Sequence, residues 1–245
     1  MILGKKIAVT MPAYYAAKTV GKTVNDIPRE FIDTIILVDD GSKDDTFAVS
    51  QALGIDVYRN EKNLNYGGNV KRCLQLALDS GADIVIQLHP DYQYSPKLTL
   101  PMASLLTTGF YDLCLGARLG GRKSSHGAMP FWRMLPNRVL TKLMDFCLGT
   151  KHTEYHTGYR AYTRKLLETV PFHTFSDTFI FDNQMFIGAL RHGFNTSEVS
   201  CPTQYEEDSS SISFQKAMRY GFQCLKISGA YFLERLGKKA QGEKD

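Results

Sequence analysis

The stretch Ile84-Val-Ile-Gln-Leu88 constrains this chain more than any other. An apolar run of that length, interrupted only by Gln87, reads as a strand buried on both faces, the habit of strands inside a parallel sheet. It ends abruptly in His89-Pro90-Asp91, where the proline cannot extend a ladder. A carboxylate at that point has two readings. Asp is a common turn and N-cap residue, and ligands of open α/β sheets bind outside the carboxyl ends of strands. The stretch alone does not choose between them.

Parallel strands need crossover helices, and the flanking sequence supplies them. Lys6–Met11 reads as a strand stopped by Pro12, and Lys18–Ile27 as a helix with Val20, Val24 and Ile27 on one face. Thr34–Val38 is a second buried strand ending in Asp39-Asp40-Gly41-Ser42, after which Asp44 or Asp45 caps a helix reaching about Leu53. Asp56–Arg59 is a short strand, Asn63–Gly68 a turn-rich loop, and Asn69–Asp79 a helix. Ile84–Leu88 is followed by a helix from about Pro96 to Leu106 and a strand at Leu113–Ala117. This alternation is the pattern of an α/β chain with a mostly parallel central sheet flanked by helices.

After Arg118 the character changes. Residues 120–127 are polar and glycine-rich, as in a mobile loop, and Pro130–Leu148 reads as a long helix with Phe131, Leu135, Val139, Leu143 and Phe146 on its apolar side. A turn at His152–Gly158 leads to a short strand and a helix near Arg164–Val170. A helix from about Asp182 to Arg191 and a strand at Asn195–Ser200 follow. Pro202–Tyr205 continues extended, and Glu206–Ser211 is an acidic, serine-rich loop. The last helix runs from near Ser213 to about Leu236, and 237–245 is a charged tail. The expected organisation is one domain, 1–236: a first half at 1–118, a second half at 119–212, and the C-terminal helix at 213–236.

Composition excludes several classes. A net charge of +4 spread over 245 residues argues against a dedicated nucleic-acid binder but allows anionic ligands or lipid surfaces. Five widely spaced cysteines with no CxxC pair suit reduced thiols rather than a disulfide framework or zinc site. No apolar run reaches the ~18–20 residues that span a bilayer, and the N-terminus lacks a signal-peptide core. A cytoplasmic protein, soluble or peripheral on the inner face of the membrane, is expected.

Three loops fall at carboxyl ends of strands, and so on one edge of the sheet: Pro12-Ala13-Tyr14, Asp39-Asp40-Gly41-Ser42 and His89-Pro90-Asp91-Tyr92-Gln93. Each alone is more easily a turn. Together they mark a ligand site.

The segment Val38–Thr46 resembles the VDDGSxDxT signature of family 2 glycosyltransferases, which have the GT-A fold. Leu88–Pro96 is similar to that family's metal-binding DxD-x-Q segment. Gly116-Ala117-Arg118 and His156–Tyr162 resemble the GSR and SGFRA segments of the branch that includes dolichol-phosphate mannose and glucose synthases. Phe181–Met185, Cys201–Tyr205 and Ser210–Ile212 continue the likeness, which covers roughly residues 5 to 222.

The resemblance implies transfer of a sugar from a UDP- or GDP-sugar, with inversion, to a polyprenyl phosphate, a lipid-linked glycan or another membrane-proximal acceptor. It implies a divalent cation, Mn²⁺ or Mg²⁺, to stabilise the departing diphosphate. Asp91 is the expected ligand, with Gln93 as a neutral oxygen donor and His89 as a further candidate. Pro12, Ala13, Tyr14, Leu37, Asp39 and Asp40 would hold the nucleotide, and Arg118 and Arg160 would pair with phosphates. Asp182 would act as base toward a hydroxyl acceptor, or serve as an N-cap or first-turn helix carboxylate. A phosphate acceptor, already anionic, needs no base.

The chain also departs from the pattern. His89 replaces the first aspartate of the metal motif, and imidazole is a poorer partner for Mg²⁺ than for Mn²⁺. Tyr15-Ala16-Ala17 replace the usual asparagine and acidic neighbour, and Gln204 stands where a basic residue is common. These departures favour a second reading, a degenerate member that binds nucleotide or scaffolds a glycan-assembly complex. A nucleotidyltransferase is disfavoured because no glycine follows the first strand between Pro12 and Lys18. The helix segment around Phe131–Lys142 and the last helix mix apolar and basic residues, as interfacial helices do.

Overall fold

The structure, a computed structural model, describes residues 1–118, 131–202 and 214–241. A seven-stranded sheet lies at its centre. In chain order the elements are β1 (Ile7–Ala13), α1 (Val20–Asn25), β2 (Thr34–Asp39), α2 (Thr46–Gln51), β3 (Asp56–Arg59), α3 (Asn65–Asp79) and β4 (Ile84–Gln87). They continue with α4 (Thr99–Thr107), β5 (Leu113–Ala117), α5 (Phe131–Leu148), β6 (Arg160–Thr163), α6 (Arg164–Thr169), α7 (Phe181–Arg191), β7 (Thr196–Ser200) and α8 (Phe214–Ala240). The strand order is β3-β2-β1-β4-β6-β5-β7. All neighbours are parallel except β6, which runs antiparallel between β4 and β5.

Side chains alternate between the two faces of the sheet. Ala8, Ile36, Val38 and Val85 pack under α3, α6, α7 and the inner sides of α5 and α8. Ile7, Val9, Leu37, Ile84 and Ile86 pack under α1 and α4. Burying each large aliphatic side chain contributes about 1.5–3 kcal/mol.

Several boundaries differ from the sequence expectation. Pro12 does not stop β1. Thr10 faces β4, receiving Leu88 N at 2.9 Å, and Pro12 faces the same way two residues on, beyond the last β1–β4 pair at Thr10–Gln87. Its missing N–H therefore costs no ladder bond. Just before α2, Asp44 Oδ1 accepts from Thr46 N at 3.2 Å and Thr46 Oγ1 at 2.6 Å. Asp45 occupies the N-cap position without a side-chain cap bond. Helix α3 starts at Asn65 and so includes Gly67 and Gly68. A Cβ on Gly67 would lie 2.4 Å from the Ser176 carbonyl oxygen, so only glycine lets this helix meet the segment before α7.

The apolar side of α5 marked by sequence spacing is exposed at Val139, Leu143 and Phe146, while Leu140, Met144 and Leu148 pack inward. The side chains of Phe131–Leu135 lie outside the described residues, as do the loops at 120–127 and 203–211, with Gln204. Helix α8 extends to Ala240, past the expected stop at Leu236. No helix among the described residues is long and apolar enough to cross a membrane.

Candidate active site

The carboxyl ends of β1, β2 and β4 bring the three expected loops together. Ala13 O accepts from Asp40 N at 2.9 Å, Tyr15 N donates to Ser42 Oγ at 2.9 Å and Ala16 N to Thr46 Oγ1 at 2.8 Å. Thr23 Oγ1 donates to Pro90 O at 3.2 Å, tying the β4 loop to α1. Tyr15 (φ 54°) and Tyr92 (φ 57°) both adopt the left-handed conformation, which is costly for a bulky residue. Tyr92 is held there by its hydroxyl on Asp26 and by Lys22 Nζ, 3.8 Å from its ring centroid.

The nucleotide-binding candidates divide. Tyr14 is exposed beside Tyr15, with ring centroids 4.5 Å apart. Pro12 and Ala13 are buried and offer the site backbone alone. Asp39 is fully buried: Oδ1 accepts from Ser42 N at 3.1 Å, and Oδ2 lies 3.2 Å from Arg59 Nε yet has no hydrogen-bond donor. A buried carboxylate oxygen without a donor suits an arriving ligand N–H or O–H. Asp40 is otherwise engaged. Its Oδ1 accepts from Asn60 Nδ2 at 2.6 Å and Leu64 N at 2.8 Å, bracing the loop before α3. Leu37 points into the core with Ile7 and Val9, because it sits one residue off the face that would look toward a ligand.

The two arginines expected on phosphates are committed elsewhere. Arg160 is fully buried, and its guanidinium donates to the carbonyls of Thr157 (2.9 Å), Asp182 (2.6 Å) and Tyr155 (2.7 Å). Arg118 Nε lies 2.8 Å from Oε1 of the buried Glu154, and its guanidinium also reaches His156 O at 3.2 Å. Both arginines fix the 154–158 turn. Glu154 was not visible as a partner because its stretch reads as a plain turn.

That turn closes over the end of β4. A Cβ on Gly158 would lie 2.1 Å from His89 Nε2 and 2.8 Å from Tyr66 Oη. Tyr66, also missed, stacks on His89 with ring centroids 5.5 Å apart. Its hydroxyl donates to Asp182 Oδ2 at 2.6 Å and receives Gln87 Nε2 at 2.9 Å. Burial and the neighbouring Asp182 push that hydroxyl well above its ordinary pKa, so it stays protonated. The signals were present in the sequence: Gln87 is the lone polar residue of its strand, and Tyr66 precedes the Gly67-Gly68 pair. Ile180 holds the N-cap position of α7 and Asp182 lies in its first turn, as one of its two expected helix-start roles has it. It is 6% exposed, and Oδ1 lies 3.3 Å from Gln87 Nε2 and 4.0 Å from Arg160 Nε.

The cation candidates fit a metal held only partly by protein. Asp91 is half-buried, and its Oδ1 accepts from Gln93 N at 3.0 Å, an Asx turn that leaves Oδ2 open among the described residues. No cluster of three His, Cys, Asp or Glu side chains occurs among the described residues. Asp91, with His89 or Gln93, could therefore supply one or two ligands. Ligand phosphates and water would complete the hard-oxygen shell that such cations prefer.

The model of glycosyl transferase family 2 matches residues 8–170, two thirds of the chain, including all three loops. The chain belongs to this family. It is a glycosyltransferase with the GT-A fold. It is 26% identical, over 84% of its length and 88% of the other, to the UDP-N-acetylglucosamine–dolichyl-phosphate N-acetylglucosaminyltransferase of Methanococcus voltae. It is 24% identical to the polyprenol monophosphomannose synthase of Mycolicibacterium smegmatis, over 84% of this chain and 75% of that one. Among solved structures it is similar to glucosyl-3-phosphoglycerate synthase of Mycobacterium tuberculosis, crystallised with Mn²⁺, UDP and phosphoglyceric acid. The TM-score is 0.69 at 20% identity, over 94% of this chain and 79% of that one.

Proposed function

We propose that this glycosyltransferase moves a sugar from a UDP- or GDP-sugar to a polyprenyl phosphate, with inversion, in the presence of a divalent cation. The observation that carries the choice of acceptor is Asp182. Attack by a hydroxyl needs a base free to take its proton. Asp182, the candidate base, is buried, with Tyr66 on one oxygen and Gln87 near the other. A lipid phosphate is already anionic and attacks the anomeric carbon without one. The dolichyl- and polyprenyl-phosphate relatives support the same reading.

In this reading the buried Asp39 receives the nucleoside and Asp91 holds the cation, which neutralises charge on the departing diphosphate. The acceptor arrives along the α5–α8 pair. These helices pack together, with Phe146 and Phe232 centroids 5.3 Å apart. Val139, Leu143 and Phe146 are exposed on α5 and Met218, Phe222 and Leu225 on α8, each set spaced i, i+4, i+7. Exposed Arg138, Lys142, Arg219 and Lys226 accompany them. An apolar stripe with basic flanks suits an anionic lipid surface.

The test is incubation of the protein with UDP- and GDP-sugars, Mn²⁺ and a short-chain polyprenyl phosphate. Sugar-phospho-polyprenol is expected, and Asp91→Asn abolishes it. Nucleotide binding with neither transfer nor slow donor hydrolysis, for every donor, would establish the non-catalytic scaffold instead.

A further inference from the structure

The Tyr66 hydroxyl meets three polar groups and has one proton to give. Asp182 Oδ2 is nearest at 2.6 Å and offers lone pairs, so the proton goes there. Gln87 must turn its amide nitrogen inward, because its oxygen would otherwise face Asp182 Oδ1 at 3.3 Å; that nitrogen donates to Tyr66 Oη at 2.9 Å. One lone pair on Tyr66 remains, and His89 Nε2 lies 3.3 Å away. Nε2 must therefore carry the hydrogen of the neutral ring, which leaves Nδ1 with a lone pair.

The ring is also fixed in place. Tyr66 stacks on it at an interplanar angle of 19°, and Gly158 lies against Nε2 so closely that no Cβ fits there. Nδ1 has no hydrogen bond among the described residues and is not one of their buried, unpartnered atoms, so it opens outward. Asp91 is two residues further along the same loop. A metal-ligating histidine characteristically donates its other N–H to an orienting group that fixes tautomer and direction. The His89–Tyr66–Asp182 chain has that form.

We propose that His89 Nδ1 is a nitrogen ligand to the catalytic divalent cation, oriented by Tyr66 and Asp182, and that it biases the site toward Mn²⁺ over Mg²⁺. This rests on the reading that Asp91 holds a cation with a nucleoside diphosphate. Its chemical ground is that Mg²⁺ demands oxygen ligands in a near-ideal octahedron, whereas Mn²⁺ accepts imidazole more readily. Asp182 thereby acts as a positioning residue two hydrogen bonds removed from His89.

The experiment uses the full chain with Mn²⁺ and UDP, and with GDP in a parallel arm. Pulsed EPR should show ¹⁴N modulation from a directly bound imidazole, and His89→Asp should abolish it while Mn²⁺ still binds. Competition titrations should show His89→Asp shifting the Mn²⁺:Mg²⁺ affinity ratio about tenfold toward Mg²⁺. Tyr66→Phe should weaken Mn²⁺ by roughly 10–100-fold and Mg²⁺ less, whereas a merely structural role would weaken both equally. Bound Mn²⁺ that is sensitive to Asp91→Asn but shows no ¹⁴N modulation in the unsubstituted protein overturns the proposal alone. Mn²⁺ that fails to bind, or binds regardless of Asp91→Asn, overturns the underlying cation reading as well.

Discussion

Arg118 and Glu154 clasp each other at the carboxyl end of β5: Arg118 Nε lies 2.8 Å from Glu154 Oε1, and Arg118 N lies 2.8 Å from Oε2. Glu154 is fully buried, so the pair is worth most as mutual neutralisation.

Arg118→Ala is therefore expected to act on stability first. Removing one partner of a buried pair costs about 3–5 kcal/mol because the other charge is stranded. Arg118→Ala combined with Glu154→Gln should recover part of that loss in urea denaturation. A fully stable Arg118→Ala with weakened donor binding would return this arginine to the phosphates.

Gly158→Ala tests the closure of the turn over His89. The added methyl would sit 2.1 Å from His89 Nε2, so either the turn or the imidazole must move. Overpacking of this kind costs about 1–3 kcal/mol. Because it displaces His89, the transfer rate should fall more than stability implies. Activity at the unsubstituted level, measured where the variant is fully folded, would show that the His89 position is not critical.

How far the sequence discloses this depends on the range of the interaction. The buried run Ile84–Leu88, the turn at Gly41 and the acidic strand ends are local signals, and all mark the sheet edge the structure displays. The insertion of β6 antiparallel between β4 and β5 is non-local. Four short residues, Arg160–Thr163, carry no hint of their neighbours. The partners of the arginines are hidden for a related reason. A guanidinium looks the same in sequence whether it faces a phosphate or three carbonyls, and only the fold places Thr157, Asp182 and Tyr155 around Arg160. Likewise, the apolar stripe of α5 has helical spacing whichever way the helix is turned. Its inward side, Leu140, Met144 and Leu148, follows from packing against α8 and the sheet.

His156 gives the fold a pH dependence whose sign can be worked out. Its Nδ1 lies 3.1 Å from Tyr220 Oη on α8, and its Nε2 is buried without a partner. Burial lowers its pKa from 6.5 to about 4; Glu154 pulls it back up, and Arg118 and Arg160 push it down further. Above pH 6.5 the ring is neutral in both folded and unfolded chains and contributes no slope. Between 6.5 and about 4 the unfolded chain takes up a proton that the folded chain refuses. Stability therefore falls with decreasing pH across that window, by about 1.4 kcal/mol per unit and about 3 kcal/mol in all. Other groups titrate there too, so the readout is a difference. In urea unfolding at several pH values from 7.5 down, His156→Gln should show a slope shallower than the unsubstituted protein by roughly that amount. The same Tyr220 accepts from Asn183 Nδ2 at 2.6 Å, next to Asp182, so protonating His156 also strains the seat of α8 against the site. Equal slopes for the two proteins would mean that His156 is hydrated and titrates normally in the folded chain.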